Sequence, residues 1–170
     1  MQLKIVTAPK NGKKTTFLYA MCSRLDSKDL NIGGIIQVVP LPNKEKVDWT
    51  LSDQSSGETQ LLMSLDKFDN SVQYGRFFIN EDAFKWANDS LLKDFKEKDV
   101  ITVDEVGPLE LENRGLNSAL ETLLKEFDGI LILVIRDTLL EEVAQHFNFD
   151  LKSAEIYHSD QSWEEQLKDL

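Results

Sequence analysis

The chain has 170 residues, 41% of them hydrophobic, which is enough for one domain with a buried core and too few for two. Lysine and arginine number 19 against 30 aspartates and glutamates, a net charge of −11, and so acidic a domain repels a phosphate backbone, so no nucleic-acid partner is expected. One cysteine, Cys22, allows no internal disulfide, the N-terminus MQLKIVTAPK lacks the apolar core of a signal peptide, and no apolar run reaches the roughly 18 residues of a membrane span; the expectation is a soluble, cytoplasmic protein with no membrane partner.

In chain order, residues 2–7 read as a buried strand and residues 14–25 as a helix with Leu18, Met21, Cys22 and Leu25 on one face. LNIGGIIQVV is an apolar strand stopped by PLPN, where two prolines break the ladder. VDWTL alternates, with Val47, Trp49 and Leu51 on one side, and SDQSSG is a turn. TQLLMSL and VQYGRFFI follow, parted by DKFDN. Connections this short cannot hold helical crossovers, so residues 33–79 are expected to extend the sheet through antiparallel hairpins.

From residue 80 helices and strands alternate. NEDAFKWANDSLLKDF carries Phe84, Ala87, Leu91 and Phe95 at helical spacing, with Asn80 as its N-cap. DVITVDEVG is a buried strand ending in acids, and RGLNSALETLLKEF is a helix with Leu116, Ala119, Leu120, Leu123 and Phe127 inward. GILILVIRD is the most apolar strand, TLLEEVAQHF a helix, AEIYHS an edge strand and SWEEQLKDL a short terminal helix. Continuously apolar strands at 2–7, 99–104 and 130–135 should lie parallel at the centre, covered on both faces. The fold class expected is α/β: a predominantly parallel sheet covered by helices and extended by antiparallel hairpins, one domain over residues 1–170.

Two histidines, His146 and His158, and one cysteine are poor material for a zinc site, and no Ser-His-Asp constellation is visible. The strongest chemical feature is VDEVGPLEL. Asp104 and Glu105 close an apolar strand, where carboxylates are costly unless they meet a cation or hydrogen-bond donors. Such a pair suits a Mg²⁺–phosphate site: one carboxylate holds the ion through water and its neighbour polarises an attacking water. The plain alternative is two solvated acids at a strand end.

The second feature is TAPKNGKKTT, between a strand and a helix. A phosphate-binding loop reads G-x-x-x-x-G-K-[ST]. In one register Gly12 and Lys13 match, and Lys14 then replaces the hydroxyl. In the other, Lys14 and Thr15 supply the lysine and hydroxyl, while Ala8 and Lys13 stand where glycines belong. The second keeps both chemically active side chains. It makes Ala8, Pro9, Lys10, Asn11, Gly12, Lys13, Lys14, Thr15 and Thr16 the candidate nucleotide-binding loop, its helix N-terminus turned toward an anion. A basic turn that merely caps a helix is the alternative.

Together the loop and the acid pair form the two halves of a phosphohydrolase. The chain resembles the thermophile-type nucleoside-triphosphatase family. The resemblance rests on VDEVGPLEL, similar to that family's Asp-Glu-hydrophobic-Gly-Pro-x-Glu-Leu signature, with GGIIQVV, YGRFFIN and VIRD in support. It implies a P-loop NTPase-like fold of the RecA/ASCE type, Mg²⁺ as cofactor, a nucleoside triphosphate (ATP or GTP) as substrate, and broad base tolerance. By position it implies that Lys14 binds the β/γ-phosphates, that Thr15 and Asp104 hold Mg²⁺ and that Glu105 activates water. Glu110 matches the signature's last acid, with a structural cap as its plain role. Arg136 matches an arginine after the next strand. It also ends a very apolar run in a chain with only four arginines, where a cation could meet γ-phosphate charge or simply pair with Asp137. The missing glycines at positions 8 and 13, and isoleucine at 135 where the family tends to have histidine, predict slow turnover. The other readings are a nucleotide-binding module without turnover, an interaction domain with a dead site, and a nucleotide kinase, which the scarcity of arginine disfavours.

Overall fold

The three most apolar runs become three adjacent parallel strands: β1 (Gln2–Ala8), β7 (Val100–Val106) and β8 (Ile130–Arg136). They belong to a computed structural model that describes residues 1–10, 12–38, 48–168 and 170. The remaining strands are β2 (Ile32–Val38), β3 (Asp48–Asp53), β4 (Thr59–Ser64), β5 (Val72–Tyr74), β6 (Phe77–Ile79) and β9 (Glu155–His158). The helices are α1 (Lys14–Asp26), α2 (Glu81–Leu92), α3 (Pro108–Leu111), α4 (Asn117–Glu126), α5 (Leu140–His146) and α6 (Trp163–Leu167). Among the described residues nine strands form one sheet in the order β5-β6-β4-β3-β2-β7-β8-β1-β9.

Alternation along the central strands explains why both faces are covered. Leu3, Ile5, Ile101, Val103, Leu131, Leu133 and Ile135 pack with Ala83, Ala87 and Leu91 of α2 and with Leu120 and Leu123 of α4. Val6, Ile132, Val134 and Ile36 meet Phe17, Leu18, Met21, Cys22 and Leu25 of α1 on the other face. Strands that bury both sides must be apolar throughout, which is why their sequences show no period of two. Asn80 caps α2 as expected: its side chain accepts from the Asp82 N–H. No helix among the described residues is long and apolar enough to cross a membrane.

Several expectations need correction. β2 has two partners: it pairs antiparallel with β3, from Ile35 opposite Asp53 to Val38 opposite Thr50, as expected, and it also runs parallel to β7, from Ile32 opposite Val100 to Ile35 opposite Val103, which was not expected. The connection through α1 and the apolar run GGIIQV make it a fourth buried parallel strand. Gly34 is why it can lie so close. Its φ is +129°, and a Cβ there would collide with the Thr102 backbone. The antiparallel extension begins with the pairing of β2 and β3. VQYGRFFI is two strands, β5 and β6, folded about Gly75 at φ +57°. RGLNSALETLLKEF becomes helical only from Asn117. Phe95 falls in a 3₁₀ turn beyond the end of α2. PLPN and Val47 lie outside the described residues.

The topology places the candidate site. β8 intervenes between β1 and β7, and β1, β2, β7, β8 and β9 all run the same way. Their carboxyl ends share one edge of the sheet, where ligands of open α/β sheets bind.

Candidate functional site

β7 would normally aim Asp104 and Glu105 at opposite faces, because side chains alternate along a strand. The strand avoids this with a bulge. Its register against β8 shifts between Val103 and Val106, and Glu105 sits at φ +56°. A bulge of this kind re-aims side chains, and a non-glycine residue at positive φ costs roughly 1–3 kcal/mol that the surrounding fold must offset. The result is that both acids face the start of α1. Thr15 Oγ1 donates to Asp104 Oδ2 at 3.0 Å, and Lys14 Nζ lies 3.7 Å from Glu105 Oε1. The hydroxyl and the acid that meet here are 89 positions apart in the chain.

Asp104 is 4% exposed. Besides Thr15 it accepts from the Gln37 N–H at 3.2 Å and, through Oδ1, from the Glu105 N–H at 3.0 Å. Burial first, and the Glu105 charge second, push its carboxyl up to about 7, against the opposing pull of those three donors. An anion this hard to ionise is suited to a cation that replaces the proton. Among the described residues no three His, Cys, Asp or Glu side chains gather as a metal cluster. The donor set fits Mg²⁺, which is held by one or two carboxylates plus phosphate oxygens and water, and does not fit a protein-only cage.

The loop after β1 carries the two departures from a glycine-rich pattern. Lys13 adopts φ +59°, ψ 26° immediately before α1, the left-handed conformation that favours glycine. Ala8 is buried, and its methyl lies against Gly12: a Cβ on Gly12 would collide with it and come within 2.9 Å of the Pro9 carbonyl. Pro9 and Lys10 are exposed, as is Thr16, while Lys14 is buried. Asn11 lies outside the described residues. Arg136 ends β8 directly opposite Ala8 of β1. Among the described residues its Nε is buried with no hydrogen-bond partner and it makes no ion pair; Asp137 instead accepts from the Thr138 N–H at 2.7 Å. Glu110 takes the plain role: its carboxylate accepts from the N–H groups of Gly107 and Leu116, at 2.8 and 2.9 Å, and secures the turn that follows β7.

A family model described as NTPase matches residues 4–166. The chain belongs to this NTPase family. It is 23% identical over 131 residues to Nucleoside-triphosphatase THEP1 of Saccharolobus solfataricus, covering 77% of this chain and 74% of the relative. A solution structure of a human cancer-related nucleoside triphosphatase superposes with a TM-score of 0.74 at 17% identity, covering 99% of this chain and 95% of the other. The crystal structure of THEP1 from Aquifex aeolicus gives 0.68 at 15% identity, with 92% and 89% covered. These likenesses establish the α/β P-loop NTPase fold.

Against that family background, two groups near the site escaped the sequence reading. Gln37 supplies the backbone N–H that helps hold Asp104; its signal was a polar residue near the end of the apolar run GGIIQVV. Ser159 follows β9 and donates from Oγ to the Gly12 carbonyl at 2.6 Å. No motif marks it, because the contact depends on β9 pairing with β1.

Proposed function

We propose that residues 1–170 act as one domain, a Mg²⁺-dependent nucleoside-triphosphate phosphohydrolase with slow turnover. The observation that carries this reading is the bulge at Asp104–Glu105, which turns two adjacent acids toward Lys14 and Thr15 at a strained φ. A structural strand end has no need of that strain.

Lys14 and the first N–H groups of α1 hold the β- and γ-phosphates. Thr15 Oγ1 and Asp104 are the groups that would hold Mg²⁺, which would neutralise phosphate charge when bound. Glu105 accepts a proton from the attacking water as its oxygen bonds to the γ-phosphorus and the bond to the bridging oxygen breaks. Arg136, its Nε without a partner among the described residues, meets the charge that develops on the γ-phosphoryl oxygens. The substrate is ATP or GTP. Isothermal titration of Mg–ATP and Mg–GTP followed by phosphate release is the direct test. Binding without release would favour a second reading, a nucleotide-binding module without turnover, which the Lys13 backbone favours by departing from glycine.

Arg136→Ala should lower turnover more than it lowers ADP affinity, since ADP lacks the γ-phosphate. Equal losses in steady-state rate and in ADP titration would mark a structural arginine.

The loop gives a prediction whose sign separates two accounts. Lys13→Gly combined with Ala8→Gly removes a left-handed lysine and the methyl against Gly12. Relief of the left-handed backbone is worth about 1–2 kcal/mol, so the variant should melt higher and bind Mg–nucleotide more tightly. Electrostatics alone predicts weaker binding, because a cation near a polyphosphate has been lost. Weaker binding in the double variant, with no effect of Lys14→Ala, would mean that TAPKNGKKTT is a basic turn.

A further inference from the structure

Along the carboxyl edge of the sheet the strand order is β2-β7-β8-β1-β9. Asp104 and Glu105 on β7, and Arg136 on β8, all lie to one side of the loop that follows β1. On the other side, after β9, an open pocket of about 370 Å³ is lined by Gly12, Lys13, Ser159, Asp160, Gln161 and Trp163. Its size falls in the range of small-molecule sites, roughly 300–1,000 Å³.

The pocket is rigidly built. The Ser159 N–H donates to the Thr7 carbonyl at 3.1 Å, and Ser159 Oγ donates to the Gly12 carbonyl at 2.6 Å. Trp163 Nε1 donates to the Ser159 carbonyl at 2.7 Å, and the indole packs edge-on against Phe17 of α1, with ring centroids 5.3 Å apart. Loop, β9 and α1 are thereby locked together. Asp160 and Gln161 are exposed at its rim, and among the described residues their side chains make no hydrogen bond or ion pair.

On the reading of the site given above, the γ-phosphate lies at Glu105 and the polyphosphate follows the loop. The nucleoside must then emerge on the side away from β7. The span from β7 to β9 is three strand spacings, roughly 14 Å, the scale of a triphosphate and ribose. We propose that this pocket holds the nucleobase and that Asp160 makes it selective for guanine. A carboxylate has acceptors only. Guanine presents two adjacent donors, N1–H and the exocyclic N2–H₂, that a carboxylate takes together. Adenine presents the N1 lone pair there, which the carboxylate repels. The Gln161 amide can donate to guanine O6, and Trp163 forms the aromatic wall. This departs from the broad base tolerance implied by resemblance alone, and it rests on the phosphate-binding role of Lys14.

The test is isothermal titration of Mg–GTP, Mg–ITP, Mg–ATP and Mg–tripolyphosphate against the intact chain and against Asp160→Asn and Lys14→Ala. A good bidentate contact is worth roughly a tenfold or greater preference, so affinities should fall in the order GTP, ITP, ATP. Asp160→Asn should weaken GTP about tenfold, bring it near ATP, and leave tripolyphosphate unchanged, which also shows that the variant is folded. Equal affinities for GTP and ATP, or a preference that survives in Asp160→Asn, overturns the guanine site alone. If none of the four ligands binds, or if Lys14→Ala alters none of them, the phosphate site and the base site fall together.

Discussion

Glu105→Gln is expected to leave Mg–nucleotide affinity close to that of the unmodified chain while lowering phosphate release roughly 10²–10⁴-fold, the usual worth of a general base. Glutamine keeps the length of the side chain and the bulge that places it, so the loss would be chemical and not architectural. The variant forfeits the weak pairing with Lys14 at 3.7 Å, but that lysine is expected to face phosphate when nucleotide is bound, so affinity does not depend on the pair. Titration and single-turnover release on the same sample separate the two effects. An unchanged rate would take the base away from Glu105. An equal loss of binding and rate would make Glu105 a determinant of the loop's shape.

The backbone suggests why this residue has its unusual conformation. A glutamate at φ +56° in a buried strand is strained whatever its partners. Without the bulge, alternation would bury the Glu105 carboxylate on the face that packs α2 and α4, at a desolvation cost of several kcal/mol. Strain of roughly 1–3 kcal/mol is the smaller term, and it brings the carboxylate to the edge where a water and a phosphate can meet it.

How far the sequence disclosed this arrangement depends on the range of each signal. Apolar runs at 2–7, 99–104 and 130–135 had only one stable use, a strand covered on both faces, so the central sheet was legible. That Lys14 and Thr15 would meet Asp104 and Glu105 was legible because these residue types stood at the two places, a loop after one strand and the end of another, where a phosphate site would bring them together. The parallel pairing of β2 with β7 was not legible because β7 lies beyond α2 and four strands, and only Gly34 hints at how close the two backbones come. The bulge was invisible for a related reason: it is a mismatch between β7 and β8, and neither strand alone records it. Ser159 and Trp163 were invisible as site residues because they act through pairing of β9 with β1, which no local pattern encodes. The left-handed Lys13 was half-visible; its position in the loop called for glycine, and the chain supplies the conformation without the residue.

Asp104→Asn should have opposite effects on stability and on ligand binding. In the metal-free protein the Asp104 carboxyl is pushed up to about 7, chiefly by burial and then by the Glu105 charge, whereas in the unfolded chain it titrates near 3.9. Between those values the folded state holds a proton that the unfolded state has released. The stability it contributes is therefore full below about pH 4 and is lost as pH rises toward 7, at most about 4 kcal/mol. Glu110 is raised in the same direction by its burial; Asp53, raised by burial but more than offset by its hydrogen bonds from Ser90, Ser55 and Ser56, is lowered, as is Glu155 by its hydrogen bonds, so the unmodified chain shows a sum. The difference between the two proteins isolates Asp104. The asparagine does not titrate, and its carbonyl can still accept from Thr15 and the Gln37 N–H. Its NH₂ then faces the Glu105 N–H, a lost hydrogen bond worth about 1 kcal/mol. Denaturant unfolding in chelator should find the variant weaker at pH 4 and roughly 2–3 kcal/mol more stable at pH 8. Adding Mg–nucleotide at pH 8 should then raise the melting temperature of the unmodified chain and hardly move that of the variant, because only a ligand held by the folded state stabilises it. If the two proteins lose stability in parallel from pH 5 to 8, Asp104 is already ionised in the metal-free fold. If the variant keeps the full Mg–nucleotide shift, the cation is held elsewhere.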